Sequence, residues 1–337
     1  MHEARQYRKT ENNTVTCSLC NHRCQIYPGK HGICGVRENE RGTLYATTYG
    51  KISAEAVDPI EKKPLYHYLP GTRSYSLGSI GCNFHCRHCQ NWHISRAERD
   101  VAHLRDLSPE EGVERAQESG SASISWTYNE PTIWHEYTLD MGTLARTAGL
   151  GTVYVTNGYI TEEALRELSP MLAAFRVDLK AFTDTFYEKV CGAHLQPVLD
   201  SAALARELGM HIETVSLVIP GLNDSMEEQT SLIRWVIEHL GPETPMHFSA
   251  FHPDYKMTDR GATPVATLEK IYRTAKELGL RFPYLGNVGH HQYENTYCPS
   301  CGATLIERQG FSSRVLGLDG QQCKNCGETI EIVRHVG

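Results

Sequence analysis

Residues 81–92 read Gly-Cys-Asn-Phe-His-Cys-Arg-His-Cys-Gln-Asn-Trp, and this segment directly follows a run, 75–80, whose apolar and aromatic residues predict a strand. Its cysteines, Cys82, Cys86 and Cys89, have the spacing C-x3-C-x2-C. Three thiolates at this spacing can hold three irons of a [4Fe-4S] cluster and leave the fourth iron open, and an open metal position is where catalysis can occur. The segment therefore predicts a catalytic iron–sulfur site at the end of a strand.

A zinc site is the alternative for the same segment, with His85, His88 or His93 as the fourth ligand. We favour the cluster for two reasons. A structural zinc site has four dedicated ligands, and a loop that follows a strand is where a β/α barrel places its active site.

The rest of the chain predicts an α/β fold, because short strand-like runs alternate with longer helix-like segments from Ser74 onward. Helix starts are marked by the capping box Ser108-Pro109-Glu110-Glu111, by Thr161 and by Thr263-Pro264. Strands are predicted at 75–80, 122–127, 153–156, 175–179, 213–219 and 246–251, with a seventh candidate at 281–285. This alternation predicts parallel strands with right-handed crossovers, arranged as a partial (β/α)6-type barrel with its chemistry at the carboxyl ends of the strands.

The composition argues against nucleic-acid and membrane partners. Lys and Arg number 33 and Asp and Glu number 40, which gives a formal net charge of −7, and there is no long basic block. No apolar run approaches the roughly 20 residues that span a bilayer. We therefore expect a cytoplasmic protein that binds neither membranes nor nucleic acid.

The cysteines indicate metal binding rather than disulfides, because the 12 cysteines of this 337-residue chain are clustered. The first group, Cys17, Cys20, Cys24 and Cys34, fits zinc or an auxiliary iron–sulfur cluster. We favour zinc there, since four local ligands in a glycine-rich knuckle are typical of a structural site.

The last cysteine group predicts a zinc ribbon. Cys298, Cys301, Cys323 and Cys326 form two Cys-x2-Cys pairs, each followed by glycine. A ribbon of this kind can dock a partner or act as a lid. The remaining cysteine, Cys191, is interpreted as a small buried residue.

Three units follow from these patterns. Residues 1–70 form a four-cysteine module and connector, 71–290 a core barrel, and 291–337 a zinc-ribbon-like module.

The chain resembles the radical S-adenosylmethionine (radical SAM) enzymes, and among them the group called the AmmeMemoRadiSam system radical SAM enzyme, which is similar to the pyruvate formate-lyase activating enzyme. The resemblance extends almost from end to end and includes the N-terminal cysteines and the ribbon. Between these lie the cysteine loop and the motifs DPIEKKPL (58–65), TYNEPT (127–132), TNG (156–158), DLK (178–180), IPGLND (219–224) and FHP (251–253).

This resemblance implies a core barrel of the radical SAM type and an oxidoreductase chemistry. The open iron would bind the amino and carboxylate groups of the methionine moiety of S-adenosylmethionine. An electron from an electron donor would then break the sulfur–C5′ bond, giving methionine and a 5′-deoxyadenosyl radical that abstracts hydrogen from a small-molecule or protein substrate. The family name implies association with Memo-like and Ammecr-like proteins.

The resemblance also implies which side chains contact S-adenosylmethionine, while no side chain is assigned a catalytic role. The expected contacts are Asn129, Glu130, Thr156, Asn157, Asp178, Lys180, Ile219 and His252. Other interpretations stand beside these. Residues 127–131 also suit a helix N-cap, Asp178 and Lys180 suit a strand-end ion pair, and a histidine such as His252 is often structural. His247 and the pair His290-His291 are interpreted only as structural.

Two alternative functions remain at this point. One is the activation of a glycyl radical enzyme, but those activating enzymes carry an aspartate before the Thr-Asn-Gly motif, where this chain has Val155. The other, of a different class, is a non-catalytic scaffold in which the central cysteines hold zinc.

Overall fold

The computed structural model describes residues 1–96, 103–289 and 292–336. The N-terminal part contains seven short strands: β1 (His2–Glu3), β2 (Tyr7–Lys9), β3 (Val15–Cys17), β4 (Gln25–Ile26), β5 (Arg37–Glu40), β6 (Thr43–Ala46) and β7 (Lys51–Ile52). Six of them form two antiparallel sheets with the orders β1-β6-β5 and β2-β3-β4. Val15, Ile26 and Leu44 are buried in the main hydrophobic core, so the cysteine module packs directly on the rest of the chain.

One eight-stranded sheet organises the centre of the molecule. In chain order the next strands are β8 (Ala54–Pro59), β9 (Arg73–Gly78), β10 (Arg105–Asp106), β11 (Ser123–Trp126), β12 (Gly151–Thr156), β13 (Ala174–Asp178), β14 (His211–Val218), β15 (Met246–Ala250) and β16 (Pro283–Gly286). The sheet order is β16-β15-β14-β13-β12-β11-β9-β8, while β10 pairs with β7. All neighbours in the large sheet are parallel except β8, which is antiparallel to β9.

The predicted strands are confirmed, including the seventh candidate at 281–285. Strand β8 was not predicted. Its sequence, Ala-Glu-Ala-Val-Asp-Pro, lacks a strand-like apolar pattern, and it lies at the edge of the sheet with most of its side chains partly exposed. Pro59 is tolerated at its end because an edge strand does not need every backbone donor.

The helices lie between the strands: α1 (Trp92–Ser95), α2 (Pro109–Glu118), α3 (His135–Thr147), α4 (Glu162–Leu168), α5 (Asp184–Phe186), α6 (Gln196–Glu207), α7 (Met226–His239) and α8 (Val265–Glu277). Shorter turns are the 3-10 helices Glu11–Asn13, Ile60–Lys62, Pro131–Trp134 and Gln292–Glu294, and the π-helical turn Tyr187–Cys191.

The expected helix starts are confirmed. Ser108 Oγ accepts a hydrogen bond from the backbone N–H of Glu111 at 3.1 Å, and Thr161 caps α4 in the same way. The fold is therefore a mixed α/β fold built on a parallel sheet. Among the described residues, no helix is both long enough and apolar enough to cross a bilayer.

The C-terminal part adds five short strands: β17 (Thr296–Tyr297), β18 (Thr304–Gln309), β19 (Ser312–Val315), β20 (Leu318–Asp319) and β21 (Gln322–Cys323). Its apolar residues Leu305 and Ile306 share a buried cluster with Tyr66 and Tyr284. The N-terminal connector and the C-terminal module thus meet at one edge of the core. The predicted boundary between the second and third units, with His290-His291, lies outside the described residues, and the division into three units stays a prediction.

Candidate functional site

A cavity of about 740 Å³ lies where the carboxyl ends of β9, β11, β12 and β13 meet. Its wall contains the three central cysteines and six of the eight expected cofactor contacts: Cys82, Cys86, Cys89, Asn129, Glu130, Thr156, Asn157, Asp178 and Lys180. These residues come from the ends of four neighbouring strands, which parallel pairing brings to one edge of the sheet.

Backbone hydrogen bonds fix the cysteine loop on the π-helical turn that follows α5. His85 N donates to Cys191 O at 2.7 Å, and Arg87 N donates to Val190 O at 3.0 Å. Both bonds lie between the first and third cysteines, so the spacing of the thiols is held by tertiary contacts as well as by the sequence.

The loop also requires a glycine at its start. Gly81 has a φ of +87°, and a Cβ there would lie 2.7 Å from the carbonyl oxygen of Cys34. On the same side, His22 Nε2 lies 2.7 Å from Asn83 O. The N-terminal cysteine module therefore packs directly against the central cysteine loop.

Hydrogen-bond donors surround the central sulfurs. Phe84 N donates to Cys82 Sγ at 3.3 Å, and Asn157 Nδ2 lies 4.0 Å from the same sulfur. Cys89 Sγ and Ser95 Oγ are 3.7 Å apart. Donors of this kind help to set the reduction potential of an iron–sulfur cluster. Three thiols in one partly buried loop are a suitable set of ligands for such a cluster.

His88 lies in the cavity wall, and its imidazole is neutral there. It is buried, and burial lowers the pKa of His88 to about 3. Its Nδ1 has no hydrogen-bond partner among the described residues. A neutral imidazole with an unused ring nitrogen can contact a bound group in the cavity.

Cys191 is buried, as expected, but it also has a neighbour that the sequence did not predict. The Cys191 thiol lowers the pKa of Cys86, against the effect of burial. No spacing rule connects the two residues, because they are brought together by the π-helical turn.

Asn129 links two parts of the chain. Its Oδ1 accepts from Ser79 N at 3.0 Å, and its Nδ2 donates to Gly81 O at 3.0 Å. The side-chain amide thus fixes the backbone between β9 and the cysteine loop, while Asn129 itself lines the cavity.

Glu130 ties together the ends of β11 and β12. Its carboxylate accepts from Thr156 Oγ1 at 2.6 Å, from Asn157 N at 2.8 Å and from Thr132 N at 3.0 Å. Burial raises the pKa of Glu130, although these hydrogen bonds oppose the rise. The bond to Thr132 caps the following 3-10 helix, so the N-cap interpretation holds for Glu130, which also lines the cavity.

Asp178 is shared by two cations. It accepts from Lys180 Nζ at 3.0 Å and from Arg176 Nη1. Burial alone would raise the pKa of Asp178, but Arg176 and Lys180 outweigh burial and lower it. The expected strand-end ion pair is present, with Arg176 as an additional member, and all three residues line the cavity.

Two expected contacts lie elsewhere. Ile219 is fully buried, with its N–H bonded to Asn223 Oδ1 at 2.6 Å, and His252 is exposed, with Nε2 3.4 Å from Asn287 O. Neither belongs to the described cavity wall. His247, interpreted as structural, is buried with Nε2 2.8 Å from Glu213.

A second charged group in the cavity wall was missed as a site. Lys62 and Lys63 line the cavity, and Asp58 accepts from Lys62 Nζ at 2.9 Å, from Lys63 Nζ at 2.5 Å and from Tyr128 OH at 2.7 Å. Burial lowers the pKa of Lys63 to about 8, despite its bond to Asp58. The available signal was two adjacent lysines inside the connector 60–69, where apolar and aromatic residues predominate.

The C-terminal cysteines form a compact ligand set. Cys298 Sγ lies 3.6 Å from Cys326 Sγ, and Cys301 Sγ lies 3.7 Å from Cys323 Sγ. All four sulfurs lie within 4.8 Å of one another. A tetrahedral ion with bonds of about 2.3 Å requires sulfurs at about this separation.

The N-terminal cysteines are brought together more loosely. Cys17 N donates to Cys24 O at 2.9 Å, and burial raises the pKa of Cys17 to about 11. No three of their four sulfurs lie within 4.8 Å of one another, whereas the C-terminal sulfurs do. This arrangement gathers four thiols in one module and fits zinc and an iron–sulfur cluster equally.

Comparisons with known proteins agree with this site. The radical SAM superfamily model matches residues 77–232, which includes the cysteine loop. A protein of Methanocaldococcus jannaschii, named "Uncharacterized protein MJ0808", is 47% identical over 335 residues, which cover 99% of this chain and 100% of that protein.

Solved structures agree at the level of the fold. Streptococcus suis SuiB bound to precursor peptide SuiA matches with a TM-score of 0.51 and 15% identity, over 68% of this chain and 52% of that chain. With the superfamily match and the cysteine-lined cavity, we conclude that residues 77–232 of this chain form a radical SAM superfamily domain and that the chain is an enzyme.

Proposed function

We propose that this enzyme holds a [4Fe-4S] cluster on Cys82, Cys86 and Cys89 and cleaves S-adenosylmethionine reductively in the adjoining cavity. The products would be methionine and a 5′-deoxyadenosyl radical, which abstracts hydrogen from a small-molecule or protein substrate. The observation that carries this proposal is the convergence of the three thiols and six polar residues on one cavity. When bound, the cluster supplies the electron that breaks the sulfur–C5′ bond.

The side chains of the cavity wall would position the methionine moiety. Glu130 and Asp178 carry carboxylates that can accept from an ammonium group, and Lys180 can donate to a carboxylate. Asn129 and Asn157 would act mainly by fixing the cysteine loop, since their amides bond to Gly81 and Asn83. Ile219 and His252 would act on the cofactor only from outside this wall.

Phe84 would exclude water from the cluster. It is 1% exposed and lines the cavity beside Cys82. Trp92, in contrast, is 42% exposed and stacks on Tyr255. Val155 also lines the cavity, so the wall is apolar where an activating enzyme would carry an aspartate.

The surrounding units complete the proposal. The parallel sheet would curve as a partial (β/α)6-type barrel around the cavity, with zinc at the C-terminal cysteines and zinc or an auxiliary cluster at the N-terminal ones. We further propose a cytoplasmic enzyme that receives its electron from a donor protein and works with Memo-like and Ammecr-like proteins.

The test is anaerobic. The protein is reconstituted with iron and sulfide, reduced with dithionite and given S-adenosylmethionine, and 5′-deoxyadenosine is quantified. We expect cleavage by the natural sequence and none by a Cys82→Ala, Cys86→Ala, Cys89→Ala variant. A fully loaded natural protein that forms no 5′-deoxyadenosine, even with the proposed partners present, would reject the catalytic assignment in favour of a scaffold.

A further inference from the structure

Two buried cations line the cavity beyond the residues assigned to S-adenosylmethionine. Lys63 is 3% exposed and Arg176 is 7% exposed, and both belong to the cavity wall. They lie close enough for the charge of Arg176 to contribute to lowering the pKa of Lys63, together with the larger effect of burial. Like charges in a buried place are unfavourable unless an anion joins them.

The chain trace places this pair away from the cysteine loop. Lys63 follows β8, whose last residue, Pro59, pairs with Arg73 at the beginning of β9. Cys82 comes after the end of β9. Lys63 therefore approaches the cavity from the opposite end of that strand, and its Nζ lies 5.0 Å from the centroid of the Tyr128 ring.

Arg176 lies deeper in the sheet than the expected cofactor contacts. It is two residues before Asp178 on β13, and residues two apart on a strand share one face. Its register partners are Val155 on β12 and Glu213 on β14. The guanidinium thus lies one layer below Asp178, facing the same cavity.

The hydrogen bonds of these cations are incomplete. Arg176 bonds to Asp178 through Nη1, but its buried Nε has no partner among the described residues. Lys63 shares the single carboxylate of Asp58 with Lys62 and Tyr128. Each carboxylate, Asp58 and Asp178, therefore serves two cations.

Two other acids of the cavity wall have partners of their own. Glu130 accepts three hydrogen bonds at the strand ends. Glu61 Oε1 accepts from Gly71 N at 2.8 Å and from Ser313 Oγ at 2.5 Å, while its buried Oε2 has no hydrogen-bond partner among the described residues. Neither carboxylate accepts a hydrogen bond from Lys63 or Arg176 within the described part of the chain.

We propose that Lys63 and Arg176 form a subsite for an oxyanion, a carboxylate or phosphate group, of the substrate. This inference rests on the proposed function, because it places the anionic end of the substrate beside the S-adenosylmethionine site. A guanidinium and an ammonium that face one cavity make charge-assisted hydrogen bonds to such a group, and the unused Nε of Arg176 supplies one donor. The substrate is therefore a small anionic molecule or an anionic side chain that enters the cavity.

The experiment measures the binding of two probes, inorganic phosphate and succinate, to the anaerobically reconstituted full chain with S-adenosylmethionine present. Phosphorus line broadening reports phosphate, and proton saturation transfer reports succinate. We expect both probes to bind, to compete with each other, and to bind at least tenfold more weakly to Lys63→Met and Arg176→Met. Lys63→Arg and Arg176→Lys, which keep the charge, should recover part of the binding.

Lys270→Met and Arg234→Met, which alter exposed cations, are the matched controls and should bind both probes like the natural sequence. Equal binding by the Lys63→Met and Arg176→Met variants and the natural protein would mean surface binding only and would overturn the proposal. The absence of probe binding to the natural protein would overturn it as well. The same samples are also reduced and assayed for 5′-deoxyadenosine. A protein that forms 5′-deoxyadenosine but does not bind the probes would therefore contradict the subsite alone, and not the cleavage of S-adenosylmethionine.

Discussion

Asn157 Nδ2 donates a hydrogen bond of 2.8 Å to Asn83 Oδ1, which ties the end of β12 to the residue that follows the first central cysteine. Both residues are buried. The bond therefore connects the Thr-Asn-Gly motif to the cysteine loop, two parts of the chain that lie 74 positions apart.

This relationship predicts the effect of Asn157→Ala. The variant loses the bond to Asn83 and a donor near Cys82 Sγ, so the cluster should be harder to reduce and formation of 5′-deoxyadenosine about tenfold slower. A redox titration followed by electron paramagnetic resonance measures the first effect. Gln117→Ala, on the exposed face of α2, is the control. An unchanged reduction potential would show that the bond only organises the loop.

Lys180→Met should weaken the binding of S-adenosylmethionine. The variant removes the donor proposed for the cofactor carboxylate, whereas Asp178 keeps its contact with Arg176. A charge-assisted hydrogen bond contributes about 1.5–3 kcal/mol, which corresponds to roughly a tenfold or larger increase in Kd. Anaerobic equilibrium dialysis measures this Kd, with the exposed Lys189→Met as control. An equal Kd for Lys180→Met and the natural protein would remove Lys180 from the proposed contacts.

The pair of Arg37 and Glu136 predicts acid sensitivity of the N-terminal module. Both side chains are 1% exposed, and their atoms lie 2.7 Å apart. Burial alone would raise the pKa of Glu136, but Arg37 outweighs burial and lowers it to about 2, from an ordinary value of 4.5. The stabilisation is therefore complete above pH 4.5 and is lost as the pH falls toward 2.

Glu136→Gln removes this dependence by leaving Arg37 buried without its counter-charge. We expect the free energy of unfolding at pH 7 to fall by about 3–5 kcal/mol and to depend less on pH between 5 and 2. Urea denaturation at several pH values measures both effects. Glu162→Gln changes an exposed acid and should leave the curve unchanged. A loss of only a few tenths of a kcal/mol would mean that the attraction between Arg37 and Glu136 is cancelled by the cost of removing both charges from water.

Metal analysis tests the cysteine groups separately. Cys298→Ser with Cys301→Ser should remove one zinc per chain and leave the iron content unchanged, because the four C-terminal sulfurs lie within 4.8 Å of one another, as four ligands of one zinc ion do. The N-terminal group should add either one zinc or four irons to the total, and Cys17→Ser with Cys20→Ser identifies which. Loss of iron from the C-terminal variant would contradict zinc in the ribbon.

The sequence alone predicted the alternation of strands and helices from Ser74 onward. Strands favour β-branched and aromatic residues, so all seven parallel strands were visible as short runs that contain them, and the helix starts were visible through caps such as Ser108. The edge strand β8 was not visible, because an edge strand is not buried on both sides and Ala54–Pro59 carries two acids and a proline.

The cysteine loop could also be predicted from the sequence, since ligand spacing along the chain is a local property. The residues that contact this loop could not be predicted in this way. Cys191 reaches Cys86 through a π-helical turn, and Arg176 joins Asp178 and Lys180 only because alternate residues of β13 face the cavity.

The sequence by itself therefore determined the fold class, the grouping of the cysteines along the chain and most residues at the strand ends, because these depend on local pattern and on the rule that parallel strands end at one edge. Only the tertiary structure decided that Lys63 and Arg176 line one cavity and that Ile219 and His252 are not part of its wall. Side-chain direction, burial and charge pairing between distant segments depend on how the sheet and connector pack, and no local pattern encodes that packing.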